Sequence, residues 1–427
     1  MMAVIGALLL VLVLLSVPVA AALGVLGLTA NWLYSPMPLH RALGDMVWQN
    51  GSDFLLVAIP LFVLLGEILL RAGIATQMYD GMAKWLNRLP GGLMHANIGS
   101  SALFAATSGS SVATSATIGT VALPQIEKRA YNERLFLGSI AAGGTLGILI
   151  PPSINLILYG LLTDTSVPEL YLAGFIPGLV LAGVFMATIA LFCLLRPAWG
   201  GEPVGYSWRE RIQALPGLLP PMLIFLVVVG SIYAGIATPT EAAALGVVAS
   251  IGLAAWYGRL SLAMLRDAVE GTMRTTAMIM LIILAAVFLN FVLSTLGVTQ
   301  ALVEGITGLG LTPLSTLLMI IVFYVILGCF METLSMLLTT APLTTPIVVA
   351  LGYDPVWFGV LLMVLLETAL ITPPVGLNLY VVQGIRGRGS MNDVMVGALP
   401  FVVAMFAMVA ILIAVPDLAL WLPSLFY

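Results

Sequence analysis

The sequence predicts an all-α polytopic membrane protein made of two halves with inverted topology, each containing a re-entrant helical hairpin and a proline-broken helix. Three observations predict this fold. The composition is too apolar for a soluble protein, the cations lie in clusters between apolar segments, and prolines and glycines recur at a constant offset along the chain.

The composition makes the lipid bilayer the solvent of this protein. Of 427 residues, 61% are hydrophobic and only 8% are charged, whereas soluble domains carry about 25% charged residues. Backbone groups in a bilayer must be paired within the protein. Because the apolar segments are long and continuous rather than alternating, they predict helices and exclude a β-barrel. No basic patch of the kind that binds nucleic acid is present.

A membrane-spanning helix needs about 20 apolar residues. The first such segment lacks a basic start and is longer than the apolar part of a signal peptide, so we expect it to be retained. The predicted spans are 3–28, 54–71, 135–163, 169–195, 212–236, 239–258, 275–296, 355–385 and 394–416.

The cations predict the orientation of these spans. Fourteen of the fifteen Lys and Arg residues fall in clusters that are separated by even numbers of spans, and Arg41 is the exception. Since cytoplasmic loops are enriched in Lys and Arg, the clusters mark the cytoplasmic face. This orientation puts the N-terminus in the cytoplasm and the C-terminus in the periplasm of a multi-pass protein of the bacterial inner membrane.

Two apolar inserts break this regular alternation. The segment 94–124 begins and ends on the cytoplasmic side, and 313–347 begins and ends on the opposite side. Thirteen of the 22 residues from Gly99 to Thr120 are Gly, Ser or Thr, which is too polar for lipid-facing helices. Both inserts therefore predict hairpins that enter and leave the membrane on one face, packed within the protein.

The two halves of the chain match at an offset of 222 to 223 residues. Pro124 matches Pro346, the Pro151-Pro152 pair matches the pair at 373–374, and Gly174 matches Gly397. Segments 75–90 and 298–309 occupy equivalent places and are amphipathic. One extra span, 212–236, separates the halves, so equivalent elements point in opposite directions. Inverted repeats of this kind are typical of secondary transporters.

In such folds, substrate and coupling ions bind near the midplane, where helices are interrupted. The tip of the first hairpin is one interruption, and Gly109 permits its turn. Serine hydroxyls and freed carbonyls there offer oxygen to a cation, and N–H groups at the start of the returning helix suit an anion. For other small polar residues of the hairpin arms, close helix packing is the favoured interpretation. The candidate substrate-binding residues of the tip are Ser108, Gly109, Ser110 and Ser111.

The paired prolines mark two more interruptions, because each proline removes a donor and clashes with the preceding turn. Asn155 and Asn378 follow the two pairs and are the other candidate substrate-binding residues. The fourth interruption is the second hairpin tip, 328–335. There, Glu332 is an ionisable group at membrane depth, which suggests a cation or proton site. The alternative is a carboxylate satisfied by N–H groups of the tip.

Other reactive residues are few. Cys193 and Cys329 lie in apolar segments and are expected to be buried free thiols. Glu67 and Glu367 each have the position to bond a neighbouring helix, and Glu241, in Thr-Pro-Thr-Glu, suits a helix cap. A Ser/His or paired-Asp catalytic site at membrane depth is not apparent in the sequence, so neither an intramembrane enzyme nor an organic cofactor is expected.

The chain resembles the large membrane subunit of the tripartite ATP-independent periplasmic (TRAP) transporters of dicarboxylates and sialic acids. Ser108-Gly109-Ser110-Ser111-Val112-Ala113, Pro239-Thr240-Glu241-Ala242-Ala243-Ala244, Pro342 to Pro346 and Ile371 to Asn378 carry the resemblance. It implies an elevator-type importer of the ion transporter superfamily, coupled to Na⁺ and specific for a small organic anion. It also implies two partners: a small four-helix membrane subunit and a soluble periplasmic substrate-binding protein.

The resemblance further implies a division of the chain and two Na⁺ sites. Residues 94–165 and 311–393 would form the transport domain, while 1–93, 166–310 and 394–427 would form the scaffold and its arms. The first site would use Ser108, Ser110, Gly147, Pro151 and Asn155. The second would use Gly328, Glu332, Thr333, Thr372, Pro373 and Gly376. A single-component Na⁺- or H⁺-coupled carboxylate carrier of the same superfamily is the alternative.

Overall fold

The computed structural model describes residues 2–15, 17–202, 204–308 and 310–427. The described part of the chain is 81% helix, and it contains no strand, only an isolated bridge between Tyr131 and Gly200. The predicted all-α class is confirmed. Residue 16 in the first predicted span, and residue 309 at the end of the second amphipathic segment, lie outside the described residues.

The chain folds into a succession of helices joined by short turns. In order, the α-helices are Met2–Leu14, Val19–Tyr34, Leu43–Gly51, Ala58–Arg71, Ile74–Leu86, Leu93–Ser108, Ser111–Ala122, Gln125–Lys128, Glu133–Leu149, Ile154–Thr163, Val167–Leu195, Trp208–Ala214, Leu219–Tyr233, Pro239–Trp256, Leu262–Thr295, Val298–Thr307, Pro313–Gly328, Thr333–Ala350, Pro355–Ile371, Leu377–Arg386, Met391–Ala414 and Asp417–Leu420. The 3₁₀ turns are Leu39–Ala42, Phe54–Val57, Pro197–Trp199, Leu215–Gly217 and Pro423–Leu425.

Several of these helices are suited to a bilayer. In the described part of the chain, six helices are long and apolar enough to cross a membrane. The number rises to as many as eight if each of two bent helix pairs counts as one span. Together with the composition, these helices indicate an integral membrane protein. Helix Pro239–Trp256 starts as the sequence predicts, because Thr238 and Glu241 form a reciprocal capping box.

Three predicted spans differ from the observed helices. Span 3–28 was wrong as a single helix: Met2–Leu14 and Val19–Tyr34 are separate, since Pro18 disfavours helical backbone in the residue before it. Span 212–236 is a pair of segments, Trp208–Gly217 and Leu219–Tyr233, bent by 45°. Span 275–296 is only the end of Leu262–Thr295. Its polar first turns are helical because Ser261 caps them and Arg266 pairs with Glu270 one turn later.

Both predicted hairpins consist of two helices with a short turn. In the first hairpin, Leu93–Ser108 and Ser111–Ala122 flank Gly109 and Ser110; in the second, Pro313–Gly328 and Thr333–Ala350 flank residues 329–332. Each hairpin is followed by a broken helix. Glu133–Leu149 and Ile154–Thr163 meet at an angle of 42°, and Pro355–Ile371 is separated from Leu377–Arg386. Both breaks contain the predicted proline pairs, whose Pro–Pro bonds are cis.

The first segments of the two broken helices form the centre of the molecule. All residues from Leu135 to Leu149, and all from Val356 to Ile371, are buried. A helix that is apolar on all sides belongs in a protein core, and these two pack against each other. The two breaks differ in exposure: residues 149–153 are all buried, whereas Pro374 and Val375 are exposed.

Candidate functional site

The first hairpin tip is built by a glycine turn and a serine cap. Helix Leu93–Ser108 ends at Gly109, which has a φ of +59°, a backbone conformation that strains other residues. Ser110 then caps Ser111–Ala122, its Oγ accepting a hydrogen bond from the N–H of Ala113. The Oγ of Ser108 lies 3.0 Å from Oγ1 of Thr114. The turn therefore gathers several hydroxyls at one point.

This tip lies against the first helix break, a proximity that the family resemblance implies. A Cβ added to Gly109 would lie 2.9 Å from the carbonyl oxygen of Pro152, and one added to Gly147 would lie 2.7 Å from the carbonyl carbon and oxygen of Ser110. Contacts this close exclude any larger residue. The structure thus brings together Ser108, Gly109, Ser110, Gly147 and the Pro151-Pro152 turn.

The second tip lies against the second break in a similar way. A Cβ on Gly328 would lie 2.5 Å from the Cβ of Ala369, and the Sγ of Cys329 lies 3.9 Å from the carbonyl oxygen of Pro373. Cys193 is buried, but Cys329 is only half-buried. The prediction of two buried thiols was therefore wrong for Cys329, because it lies on the turn rather than within a helix.

Glu332 caps the returning helix of the second hairpin. Its Oε2 accepts hydrogen bonds from the N–H and Oγ of Ser335, at 3.1 and 3.2 Å, and its Oε1 accepts one from Oγ1 of Thr333 at 3.2 Å. The alternative given by the sequence, a carboxylate that accepts hydrogen bonds from groups of its own tip, is thus present. Because the carboxylate remains half-buried, the structure leaves the predicted cation-binding role of Glu332 and Thr333 as a prediction.

The residues of the second break have local partners. Thr372 donates from Oγ1 to the carbonyl oxygen of Thr368 at 2.6 Å, and Gly376 starts Leu377–Arg386 with a φ of +41°. Asn378, however, reaches the other half of the chain: its Nδ2 donates to the carbonyl oxygen of Ala141 at 3.2 Å. This asparagine therefore lies beside the first broken helix.

Two polar atoms of the predicted asparagines are buried without a partner. These are Nδ2 of Asn155 and Oδ1 of Asn378, in side chains that are 3% and 0% exposed. Buried polar atoms in native proteins nearly always have a partner, so such atoms are candidates for contacts with a bound ion or solute. The two asparagines retain the predicted substrate-binding role as a hypothesis supported by this observation.

Glu367 lies at the first hairpin tip, a position that the sequence did not specify. Oγ of Ser111 donates to its Oε1 at 2.8 Å, and the N–H of Ile148 donates to the same atom at 3.1 Å. Its helix therefore bonds both the first tip and the first break, confirming the expected bond to a neighbouring helix. Glu67 instead pairs with Arg71 on its own helix. A carboxylate within an apolar run was the only signal that marked Glu367.

The amphipathic segment 75–90 forms helix Ile74–Leu86, which is bound to the first hairpin. The hydroxyl of Tyr79 donates to Oδ1 of Asn97 at 2.8 Å, and Nδ2 of Asn97 donates to Oγ of Ser139 at 2.8 Å. This chain of hydrogen bonds joins helix Ile74–Leu86, the first hairpin and the first broken helix. Asn97, which the sequence analysis did not single out, is fully buried at the centre of it.

The chemistry of the site is that of oxygen ligands. Hydroxyls, amide oxygens, backbone carbonyls and two carboxylates, Glu332 and Glu367, lie where helices are interrupted. The described residues contain no group of three or more His, Cys, Asp or Glu suited to a transition metal. Oxygen donors suit hard cations such as Na⁺. Interrupted helices with such donors inside a membrane protein are typical of secondary transporters, and this is the class that the fold and site define.

A family model described as "Tripartite ATP-independent periplasmic transporter, DctM component" matches residues 7–418. The chain belongs to this family. It is 34% identical to the C4-dicarboxylate TRAP transporter large permease protein DctM of Pseudomonas aeruginosa, over 94% of each chain. It is 32% identical to the sialic acid TRAP transporter large permease protein SiaM of Vibrio cholerae, over 88% of this chain and 87% of that protein.

A solved structure shares the fold. The Alcanivorax borkumensis YdaH transporter aligns with a TM-score of 0.63 and 17% identity, over 96% of this chain and 98% of that chain. Its low identity restricts the comparison to architecture. The family and its named members are transporter permease components, not enzymes. The resemblance seen in the sequence is therefore confirmed at the level of the family.

Proposed function

We propose that this chain is the large transmembrane subunit of a Na⁺-coupled importer that receives a small organic anion from a periplasmic binding protein. C4-dicarboxylates, sialic acids and related carboxylates are the proposed substrates, because the named relatives are transporters of C4-dicarboxylate and of sialic acid. The observation that carries the proposal is that each hairpin tip lies against a proline-broken helix, at contacts such as Gly147–Ser110 and Gly328–Ala369.

The proposed mechanism is an elevator in which residues 94–165 and 311–393 move together against a scaffold formed by 1–93, 166–310 and 394–427. Bonds between the two moving parts support this division. Glu367 bonds Ser111, Asn378 bonds Ala141, and Arg386 lies 2.9 Å from Glu133. The hairpins and broken helices recur in the same order in both halves, which favours the inverted repeat.

Two Na⁺ sites are part of the proposal. The first lies between the 108–111 tip and the 147–155 break, and the second between the 328–335 tip and the 372–378 break. Freed carbonyls at an unwound helix are suitable Na⁺ ligands. The inward Na⁺ gradient would supply the free energy for uptake, so no ATP is required, in keeping with the family description.

The proposed assembly contains a small four-helix membrane subunit and a soluble periplasmic binding protein in the bacterial inner membrane. The N-terminus would be cytoplasmic and the C-terminus periplasmic. The word "tripartite" in the family description supports two partners. A single-component carrier would need neither of them, so partner dependence separates the two hypotheses.

Reconstitution tests the proposal. The chain and both partners would be placed in proteoliposomes, and uptake of radiolabelled succinate and of sialic acid would be measured with Na⁺ and proton gradients imposed separately. We expect uptake of one solute with an inward Na⁺ gradient and only when the binding protein is present. Uptake by the chain alone, or with a proton gradient in the absence of Na⁺, would contradict the proposal.

A further inference from the structure

The carboxylate of Glu367 lies where three elements of the chain meet. Its Oε1 accepts hydrogen bonds from Ser111, on the first hairpin, and from the N–H of Ile148, beside the first break. The backbone of Ser110 and Ser111 is at the same place in close contact with Gly147. The side chain of Glu367 is therefore at the junction of the first tip and the first break, although it belongs to the second half of the chain.

The second oxygen of this carboxylate is unsatisfied. Glu367 is 0% exposed, and its Oε2 is buried without a hydrogen-bond partner. Among the ion pairs of the described residues, none involves Glu367. A buried carboxylate without a positive partner is strongly unfavourable, so a cation or a proton must neutralise it.

The surrounding hydrogen bonds favour a cation over a proton. Both donors, Ser111 and Ile148, point to Oε1, so neither of them occupies Oε2. A protonated Oε2 would itself need an acceptor, and none is within hydrogen-bonding distance in the described structure. The hydroxyls and turn carbonyls of Ser108 and Ser110 provide further oxygen nearby.

The repeat shows that this charge is particular to one site. At the offset of 222 residues, the position of Glu367 corresponds to Thr145, whose Oγ1 donates to the carbonyl oxygen of Ala142 in its own helix. The second tip has a carboxylate of its own, because Glu332 lies on it. Each hairpin tip thus has one carboxylate beside it, Glu367 at the first tip and Glu332 at the second. The two residues do not occupy equivalent positions of the repeat.

We infer that Glu367 supplies the negative charge of the Na⁺ site at the first hairpin tip, with Oε2 as a ligand contributed by the opposite half of the chain. This inference rests on the proposed Na⁺ coupling. Bound Na⁺ would then join the two halves of the proposed transport domain, because the first hairpin and the helix Pro355–Ile371 would both bind the same ion. No residue in the predicted ligand set of the first site carries a charge.

The test is Na⁺ binding by the purified full chain in lipid nanodiscs, with Na⁺ as the probe and choline as the replacement ion. The melting temperature is recorded against Na⁺ concentration for the wild type, Glu367→Gln and the control Thr368→Val. Gln keeps an oxygen to accept the bonds from Ser111 and Ile148. We expect its Na⁺ midpoint to rise at least about tenfold, the loss typical of removing a group from a metal site, while the control stays at the wild-type midpoint.

Three results would decide against the inference. An unchanged Na⁺ midpoint in Glu367→Gln overturns the role of Glu367 but leaves Na⁺ coupling intact. A wild type whose melting temperature does not respond to Na⁺ overturns the coupling as well. If Glu367→Gln does not fold, Glu367→Asp is used, because it keeps the charge but withdraws it by one methylene. An unchanged Na⁺ midpoint in that variant also overturns the inference.

Discussion

Gly66 lies directly against Ser108, at the tip of the first hairpin. A Cβ on Gly66 would be 3.4 Å from the carbonyl oxygen of Ser108 and 3.5 Å from its Cα. Gly66 belongs to helix Ala58–Arg71, in the proposed scaffold, whereas Ser108 belongs to the proposed transport domain. Because Gly66 has no side chain, the tip packs directly on the backbone of this helix, and in the proposed elevator mechanism the tip would move along this surface.

Replacing Gly66 should therefore affect transport according to the size of the new side chain. Alanine places a methyl group at an ordinary contact distance, so we expect Gly66→Ala to retain most of the activity. Leucine would extend into the tip, and Gly66→Leu should reduce the uptake rate at least about tenfold, because packed interiors do not accommodate extra volume. The uptake rate is measured in proteoliposomes with the anion that the reconstitution experiment identifies.

The control for this prediction is Gly252→Leu. A Cβ on Gly252 meets no atom within 4 Å, and the residue is exposed on helix Pro239–Trp256. This variant should transport at the wild-type rate. Equal activity of Gly66→Leu and Gly252→Leu would show that the Gly66–Ser108 contact does not limit movement.

Gly138 should be essential for stability. It lies where the helix Glu133–Leu149 crosses Met391–Ala414, and a Cβ there would overlap the carbonyl oxygen of Gly397. Backbone cannot rotate away as a side chain does, so we expect Gly138→Ala to destabilise the protein by about 1–3 kcal/mol. Its melting temperature, followed by tryptophan fluorescence, should fall. Gly183→Ala, which meets no atom within 4 Å, should leave it unchanged or raise it slightly.

Arg386 should contribute more to stability than Arg388. The side chain of Arg386 is 5% exposed and lies 2.9 Å from Glu133 and 3.4 Å from Asp393, whereas that of Arg388 is 55% exposed. Removing the buried Arg386 leaves two partly buried carboxylates without this partner, while exposed pairs contribute little. Arg386→Gln should therefore lower the melting temperature clearly more than Arg388→Gln. Equal effects of the two substitutions would show that the Arg386 ion pairs do not stabilise the contact between the halves.

Glu332→Gln separates two roles of the same carboxylate. The amide oxygen of Gln can still accept the N–H of Ser335, so the helix cap should persist and the melting temperature in choline should change little. If Glu332 also binds Na⁺, as we predict, the Na⁺ concentration for half-maximal uptake should rise at least about tenfold. If the variant shows the wild-type Na⁺ dependence, Glu332 serves only as the cap of its helix and does not bind Na⁺.

Much of the fold could be predicted because its signals are local. The proline pairs interrupt helices at 151–152 and 373–374, Gly109 ends the first arm of its hairpin, and the reciprocal cap at Thr238 and Glu241 is present as expected. The errors also have local causes. A span predicted from an apolar run is too short when the first turns of the helix are polar, as in Leu262–Thr295. It is too long when a proline interrupts the run, as at Pro18.

The site was predicted less completely. The sequence identified both tips and both breaks, and the contacts of Gly147 and Gly328 bring each tip to a break. It did not specify that Asn378 would reach Ala141, or that Asn97 would join helix Ile74–Leu86 to the hairpin. Nor did it indicate that the first break would be buried and the second partly exposed.

The sequence by itself determined the solvent, the helical class, the hairpin turns and the positions of the helix breaks, because hydrophobicity and the backbone restrictions of Pro and Gly act within a few residues. Only the tertiary structure decided which polar groups meet. Ser111 and Glu367 are 256 residues apart, and no property of either residue specifies the other. Their contact follows from how fully buried helices pack, and that packing places a carboxylate at the first hairpin tip.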